Sequence, residues 1–251
     1  MKRILITAGG TAEKIDQVRS ITNHSTGQLG CLIAEKFLKQ GIQVDYVTTT
    51  AALRPKEQTE LNLYFIHDTQ ALDQTLTTLL QQRTYDAVIH SMAVSDFTPA
   101  TSFSIELFTE KINQLLATTT LPVTKEQLAQ LIEHATEEPA SKISSNTDYL
   151  FLALKKTPKV VKKIKEIQPG TTLVSFKLLV AVTKEELFQV AQESMTKNHG
   201  DFVLANDLTS IQKDLHTGYL IDKTGKLIGE GQTKEAIADL IFTTLLQREE
   251  D

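Results

Sequence analysis

The 251-residue chain holds a single cysteine, Cys31, which excludes an intrachain disulfide framework and a multi-cysteine zinc site. That scarcity predicts a reducing, cytoplasmic compartment. There is no long run of Lys and Arg, and the formal net charge is −5, which argues against a general nucleic-acid binder with a basic face. Anionic ligands therefore need local donors. Long apolar runs are missing too: behind Lys2 and Arg3 only residues 4–8 lean apolar before Gly9, too short for a signal-peptide core or a membrane span. No Pro/Gly/Ser linker, internal repeat or low-complexity tract divides the sequence. Its length and continuity predict one domain over residues 1–251, able to bury a core without staples.

What is present is a regular alternation. Residues 3–8, RILITA, form a β-prone run stopped by Gly9 and Gly10. A long turn follows, until Ser25 or Thr26 offers an N-cap to the helical spacing of LGCLIAEKFLKQ, which Gly41 ends. Further strands are predicted over 42–48, 85–90, 171–176 and 201–205, with a short apolar segment over 61–66. Helices are predicted over 69–82, over 158–167 with Thr157 as cap and Pro158 first, after Thr183, and over 234–246. Residues 217–229, TGYLIDKTGKLIG, read as a hairpin turning at Lys223, Thr224 and Gly225. Residues 97–141, rich in Thr, Leu and Glu, break the alternation with helical stretches at 106–116 and 125–136 and are an insertion. The expected fold is α/β, Rossmann-like and doubly wound: a mainly parallel sheet, helices on both faces and a small β-hairpin flap.

Open parallel sheets bind ligands beyond the carboxyl ends of their strands, so polar residues just after each strand matter most. They cluster at residues 9–19, at 90–97, at Lys177 and at 205–207, with Lys142 at the exit of the insertion. The richest segment is GGTAEKIDQVRSITNHSTGQLG, residues 9–30. Gly9 and Gly10 permit close backbone approach, and Ser25, Thr26 and Gly27 open a helix whose free N–H groups favour a phosphate. A nicotinamide-linked oxidoreductase shares the strand and helix alternation. Its G-x-G-x-x-G should turn directly from strand to helix, however, whereas here Gly9–Gly10 and Gly27–Gly30 are far apart. The second strand also ends in Thr48, Thr49 and Thr50 rather than in an acid for a ribose.

Residues 9–30 resemble the signature of phosphopantothenate–cysteine ligases, also called phosphopantothenoylcysteine synthetases. The resemblance continues, in the family's order, with MAVSDF at 92–97, SKISS at 141–145, LVSFKL at 173–178 and LANDL at 204–208. It implies a ligase of coenzyme A synthesis that activates 4'-phosphopantothenate with a nucleoside triphosphate, releases pyrophosphate, and lets cysteine attack the acyl-nucleotide to give the amide and a nucleoside monophosphate. CTP is favoured over ATP, with magnesium as companion ion. Bifunctional relatives carry an amino-terminal flavin-dependent decarboxylase. This sequence opens at the ligase's first strand, so the expectation is the stand-alone bacterial type, with a separate decarboxylase, no flavin, no nucleic acid and no membrane. The family's homodimers exchange β elements, and the hairpin or the insertion is the expected contact.

Residue by residue, the resemblance makes Asn23 the catalytic amide donor to the developing oxyanion and Lys142 the cation beside the phosphates. Asn23 read without it is a turn or cap residue. The implied nucleotide site contains Gly9, Gly10, Thr11, Ser25, Thr26, Gly27, the backbone of His90, Ser91 and Met92, Asp96, the helix start Pro158, Lys159, Val160 and Val161, then Phe176 and Lys197. Asp96 is also the candidate magnesium ligand. Asn23, Ala93 and Asn206 are implied at the acid substrate. Gln17, Met92, Ser144–Ser145 and Glu193 depart from the family's commoner residues. The alternatives are a non-catalytic nucleotide-sensing protein and an NADP-linked oxidoreductase of the same fold.

Overall fold

A computed structural model of the chain describes residues 1–119, 121–134, 146–212 and 215–248. Its strands are β1 (Arg3–Ala8), β2 (Ala12–Lys14), β3 (Ser20–Thr22), β4 (Gln43–Thr48), β5 (Leu61–Phe65), β6 (Ala87–His90), β7 (Phe97–Ser104), β8 (Leu150–Lys156), β9 (Thr172–Leu179), β10 (Phe202–Asp207), β11 (Ile211–Gln212), β12 (Leu215–His216), β13 (Gly218–Asp222) and β14 (Leu227–Gly231). Its helices are α1 (Gln28–Lys39), α2 (Thr69–Gln82), α3 (Ile105–Thr118), α4 (Lys125–His134), α5 (Val160–Ile167), α6 (Lys184–Asn198) and α7 (Lys234–Gln247). Where the sequence suggests one domain with an insertion at 97–141, the chain forms two compact units. The first comprises Met1–Thr11, Asn23–Val94 and Lys159–Asp251, and the second comprises Ala12–Thr22 and Ser95–Pro158.

The first unit is built on an eight-stranded sheet in the order β14-β13-β10-β9-β6-β1-β4-β5. The strands from β10 to β5 are all parallel, and the order reverses between β1 and β6, the switch point of a doubly wound fold. Alternation along β1 explains the two layers of helices. Ile4, Ile6 and Ala8 pack with Ile33 and Phe37 of α1 and Ile237 and Ile241 of α7. Leu5 points the other way, into a cluster with Leu72, Leu76, Leu79 and Leu80 of α2 and Val160 and Ile164 of α5. Val203 and Ala205 pack with Leu187, Ala191 and Met195 of α6. Each fully buried Val, Leu, Ile, Phe or Met side chain among these contributes about 1.5–3 kcal/mol. Gly30 lets α1 lie close on β1, since a Cβ there would stand 2.5 Å from that of Ala8.

The C-terminal hairpin, β13–β14, is no flap. β13 pairs antiparallel with β10 and continues the sheet, because Leu220 and Ile221 are apolar enough to be buried in its two layers. Residues 61–66 supply the parallel edge strand β5.

In the second unit β7 and β8 form an antiparallel ribbon, with the rings of Phe103, Phe108 and Phe151 packed together at its α3 end. Asp16 shapes the β2–β3 turn, accepting from the Val18 and Arg19 amides and from the Arg19 guanidinium. At the other end of the ribbon the chain's entry and exit are tied together: the Thr157 hydroxyl donates to Ser95 O at 2.6 Å, and the Thr157 amide to Asp96 O at 3.1 Å. That long-range bond takes Thr157 away from the expected capping role. Pro158 accordingly lies outside the helix, and α5 begins at Val160 with Lys159 as its N-cap.

Candidate functional site

The switch point of the first unit collects the glycine-rich loop and the end of β6. Gly9 has φ 95° and Gly27 φ 74°, both in the left-handed region where a side chain is strained. At Gly10 a Cβ would stand 2.5 Å from the Asn23 carbonyl oxygen, so only glycine lets the Asn23 segment lie over the end of β1. The backbone then stitches β1 to the chain beyond β6: Ala93 N donates to Gly9 O at 2.8 Å, and Thr11 N to Ala93 O at 3.1 Å. The Ser91 hydroxyl donates to Thr7 O at 2.7 Å. Asn23 is exposed, and its side-chain amide donates to Val94 O at 3.2 Å, which orients it toward the same edge.

Helix ends distinguish the places along this edge where an anion fits. Within the first unit α1, α2, α5, α6 and α7 each start at the carboxyl edge of the sheet. Asp68, Thr183 and Thr233 cap α2, α6 and α7 with side-chain oxygens. α1, with Gly27 as N-cap, and α5, with Lys159, have no side-chain cap bond. Uncapped amides and the positive dipole end are the ordinary seat of a phosphate. The N-cap is thus Gly27 rather than Ser25 or Thr26. Thr26 contributes its carbonyl, which accepts from Leu53 N at 2.9 Å, and its hydroxyl, which accepts from Gln28 N at 3.4 Å, so one first-turn amide of α1 already has a partner; Ser25 and Thr26 are both exposed.

His90 ends β6 with its ring buried, Nδ1 2.8 Å from Thr7 Oγ1, and burial pushes its pKa down to about 4. The unfolded imidazole takes up a proton below about pH 6.5, whereas the folded one stays neutral until about 4. Stability is therefore full above pH 6.5 and lost as pH falls toward 4. We expect wild type to lose about 2 kcal/mol more than His90→Gln between pH 7.5 and 5 in urea unfolding.

Several expected residues lie elsewhere. Met92 is buried among the α2 and α5 side chains, leaving its backbone for a ligand. Val160 is likewise a core side chain, with Val161 packed beside it. Phe176 is half-buried against the cluster that α1 and α7 share, the environment of a core aromatic. Lys197 is in the last turn of α6, which returns the chain to the amino edge of the sheet, opposite the glycine loop. Asn206 is buried, its amide 3.2 Å from Nε2 of buried His216. Burial, with Lys234 nearby, keeps His216 below its ordinary pKa. Asp96 and Pro158 belong to the second unit. Lys142 and the SKISS motif lie outside the described residues. The Val94 carbonyl and His216 went unread from sequence, because each acts through a partner distant in the chain.

Among the described residues no three His, Cys, Asp or Glu side chains gather as a metal site, and no helix is long and apolar enough to cross a membrane.

The model of one protein family, DNA/pantothenate metabolism flavoprotein C-terminal domain, matches residues 1–137 and 129–248. The Coenzyme A biosynthesis bifunctional protein CoaBC of Thermococcus kodakarensis is 26% identical over 241 residues, 96% of this chain and 50% of that protein. That of Methanocaldococcus jannaschii is 28% identical over 82% of this chain and 41% of its own length. The chain thus spans about half the length, or less, of these curated relatives. Among solved structures, the DNA/Pantothenate Metabolism Flavoprotein from Streptococcus pneumoniae superposes with a TM-score of 0.83 at 39% identity, covering 99% of this chain and 100% of that one.

Proposed function

This chain belongs to the DNA/pantothenate metabolism flavoprotein C-terminal domain family, and we propose that it joins cysteine to 4'-phosphopantothenate in coenzyme A synthesis. The observation that carries this reading is the switch point: a glycine loop at the start of α1, whose N-cap Gly27 has no side chain to offer, with the Asn23 amide held beside it by Val94. Curated relatives named for coenzyme A biosynthesis support it. In the proposed reaction the substrate carboxylate attacks the α-phosphorus of CTP, or of ATP as the second choice, and pyrophosphate leaves. The cysteine nitrogen then attacks the acyl carbon, the bond to the nucleoside monophosphate breaks, and the amine proton passes to solvent.

The chain's own groups do positioning and charge work. Backbone amides at the start of α1, beside Gly9 and Gly10, take the phosphates, and the Asn23 amide donates to the acyl oxygen as charge develops there. Lys142 remains the proposed cation for the leaving pyrophosphate. Magnesium fits without a protein cage, since it ordinarily rides on nucleotide phosphates with one or two carboxylates. Asp96 is exposed and is the proposed carboxylate. The ion supplies charge neutralisation when bound. A homodimer, a separate decarboxylase that holds the flavin, and a cytoplasmic location complete the proposal.

Gly10→Ala tests the loop directly. Its Cβ pushes against the Asn23 carbonyl, and since a misplacement of about 1 Å can cost about 10²-fold, kcat should fall by tens to about 10²-fold with binding less affected. The reaction itself is tested by incubating the protein with phosphopantothenate, cysteine, magnesium and CTP or ATP. Pyrophosphate and nucleoside monophosphate should appear together, in equal amounts. Nucleotide binding without either product would favour a sensing protein, and hydride transfer to NADP an oxidoreductase.

A further inference from the structure

The imidazole of His216 carries a buried donor with no use inside the protein. His216 is 7% exposed on β12, and its Nε2 lies 3.2 Å from the Asn206 amide nitrogen near the end of β10. Burial first, and the Lys234 charge second, keep the ring below its ordinary pKa and so neutral. An amide nitrogen only donates, so Nε2 accepts and the single ring proton sits on Nδ1. Among the described residues Nδ1 has no hydrogen-bond partner. A buried donor in that state calls for an acceptor that is not a protein group.

His216 stands beside a cation. Its backbone N–H donates to Gln232 O at 2.9 Å, two residues before Lys234. Lys234 opens α7 and reaches across to the first residue of α1, its Nζ donating to Gln28 Oε1 at 2.7 Å. That bond uses one of the three N–H groups of the ammonium, and a neutral amide does not cancel the charge. β12, α7 and α1 thus bring a directional donor and a point cation together at the carboxyl edge of the sheet. A phosphoryl group suits both, because its oxygens accept from each and its charge answers the lysine's. We infer that Lys234 and the Nδ1–H of His216 are a phosphoryl-binding pair, in which the lysine supplies charge and the histidine direction. This rests on the ligase reading for the source of the group, the triphosphate of CTP or the 4'-phosphate of phosphopantothenate.

Calorimetric titration of the full chain with pyrophosphate, CTP and 4'-phosphopantothenate reads the charge without need of turnover. Lys234→Met, folded by circular dichroism, should weaken pyrophosphate at least about tenfold, the usual worth of a hydrogen bond to a charged group. Whichever of CTP and phosphopantothenate weakens with it is the source. A lysine that only ties α7 to α1 predicts a lower melting temperature with all three affinities unchanged, and that result overturns the inference. Nitrogen-15 NMR reads the direction, with the His216 ring assigned by the signal that His216→Gln removes. The free protein should carry the ring proton on Nδ1, and pyrophosphate should move that proton downfield as it gains an acceptor. A proton found on Nε2, or one on Nδ1 that saturating pyrophosphate leaves in place, overturns the inference as well. Pyrophosphate bound through Lys234 by a protein that takes neither CTP nor phosphopantothenate would sink the ligase reading and leave the pair standing; wild type that binds none of the three overturns both.

Discussion

Asn23→Ala is expected to lower kcat by about 10²–10³-fold, the usual cost of deleting one donor to a developing oxyanion. The fold should not notice. Asn23 is exposed in a loop, and the bond it loses, to Val94 O, is at the surface. The melting temperature should therefore stay within a degree or two of wild type, and KM for the nucleotide within about threefold, because the donor acts on the transition state more than on the ground state. Asn23→Asp sharpens the test, since a carboxylate of the same shape would face both the Val94 carbonyl and the developing charge. It should be no better than alanine. A folded alanine variant that turns over at the wild-type rate would remove Asn23 from the chemistry.

The largest stability effect should come from a site remote from the glycine loop. Asp45 on β4 is 1% exposed and accepts from the Arg83 guanidinium at 2.8 Å, from Asn62 at 2.8 Å and from the Tyr85 hydroxyl at 2.6 Å. Burial and the bond to Asp45 push the Tyr85 phenol far above its ordinary pKa, so the hydroxyl stays a donor. Arg83→Met leaves the carboxylate buried with only neutral donors. Breaking a buried pair from one side costs about 3–5 kcal/mol, and the remaining bonds place the expected loss near the lower figure. Urea unfolding reads it. Adding Asp45→Asn should recover part of the loss, because the uncompensated charge rather than the missing contact dominates. Equal costs for the single and double variants would show that packing of the Arg83 stem matters instead.

Local pattern told most where one element settles its own ends. α2 runs over Thr69–Gln82 as its leucine spacing predicts, and β1 over Arg3–Ala8 as its stop at Gly9 predicts. It told least where a distant partner decides. Thr157 looked like a cap, but the Ser95 carbonyl claims its hydroxyl. The β7–β8 ribbon is not legible in the sequence, because its strands pair across the helical insertion and LFLALKK does not alternate cleanly. The hairpin at 218–231 was legible as a hairpin, though not its docking on β10. At the site, the glycines announced the loop, since close approach needs them. Lys197 was placed by resemblance alone, and chain direction, which sequence blocks do not record, sets it at the far edge.

α7 lies against α1, with Phe37 and Phe242 edge to face at 5.0 Å and Ile237, Ala238, Ile241 and Leu245 buried in the cluster shared with β1. Elements from opposite ends of the described sequence thus close one flank of the molecule together. While a ribosome is still making residues 234–247, α1 and the inner strands it covers have an apolar surface facing water. That flank stays open until α7 has been made, so α1 without it presents an apolar face prone to association.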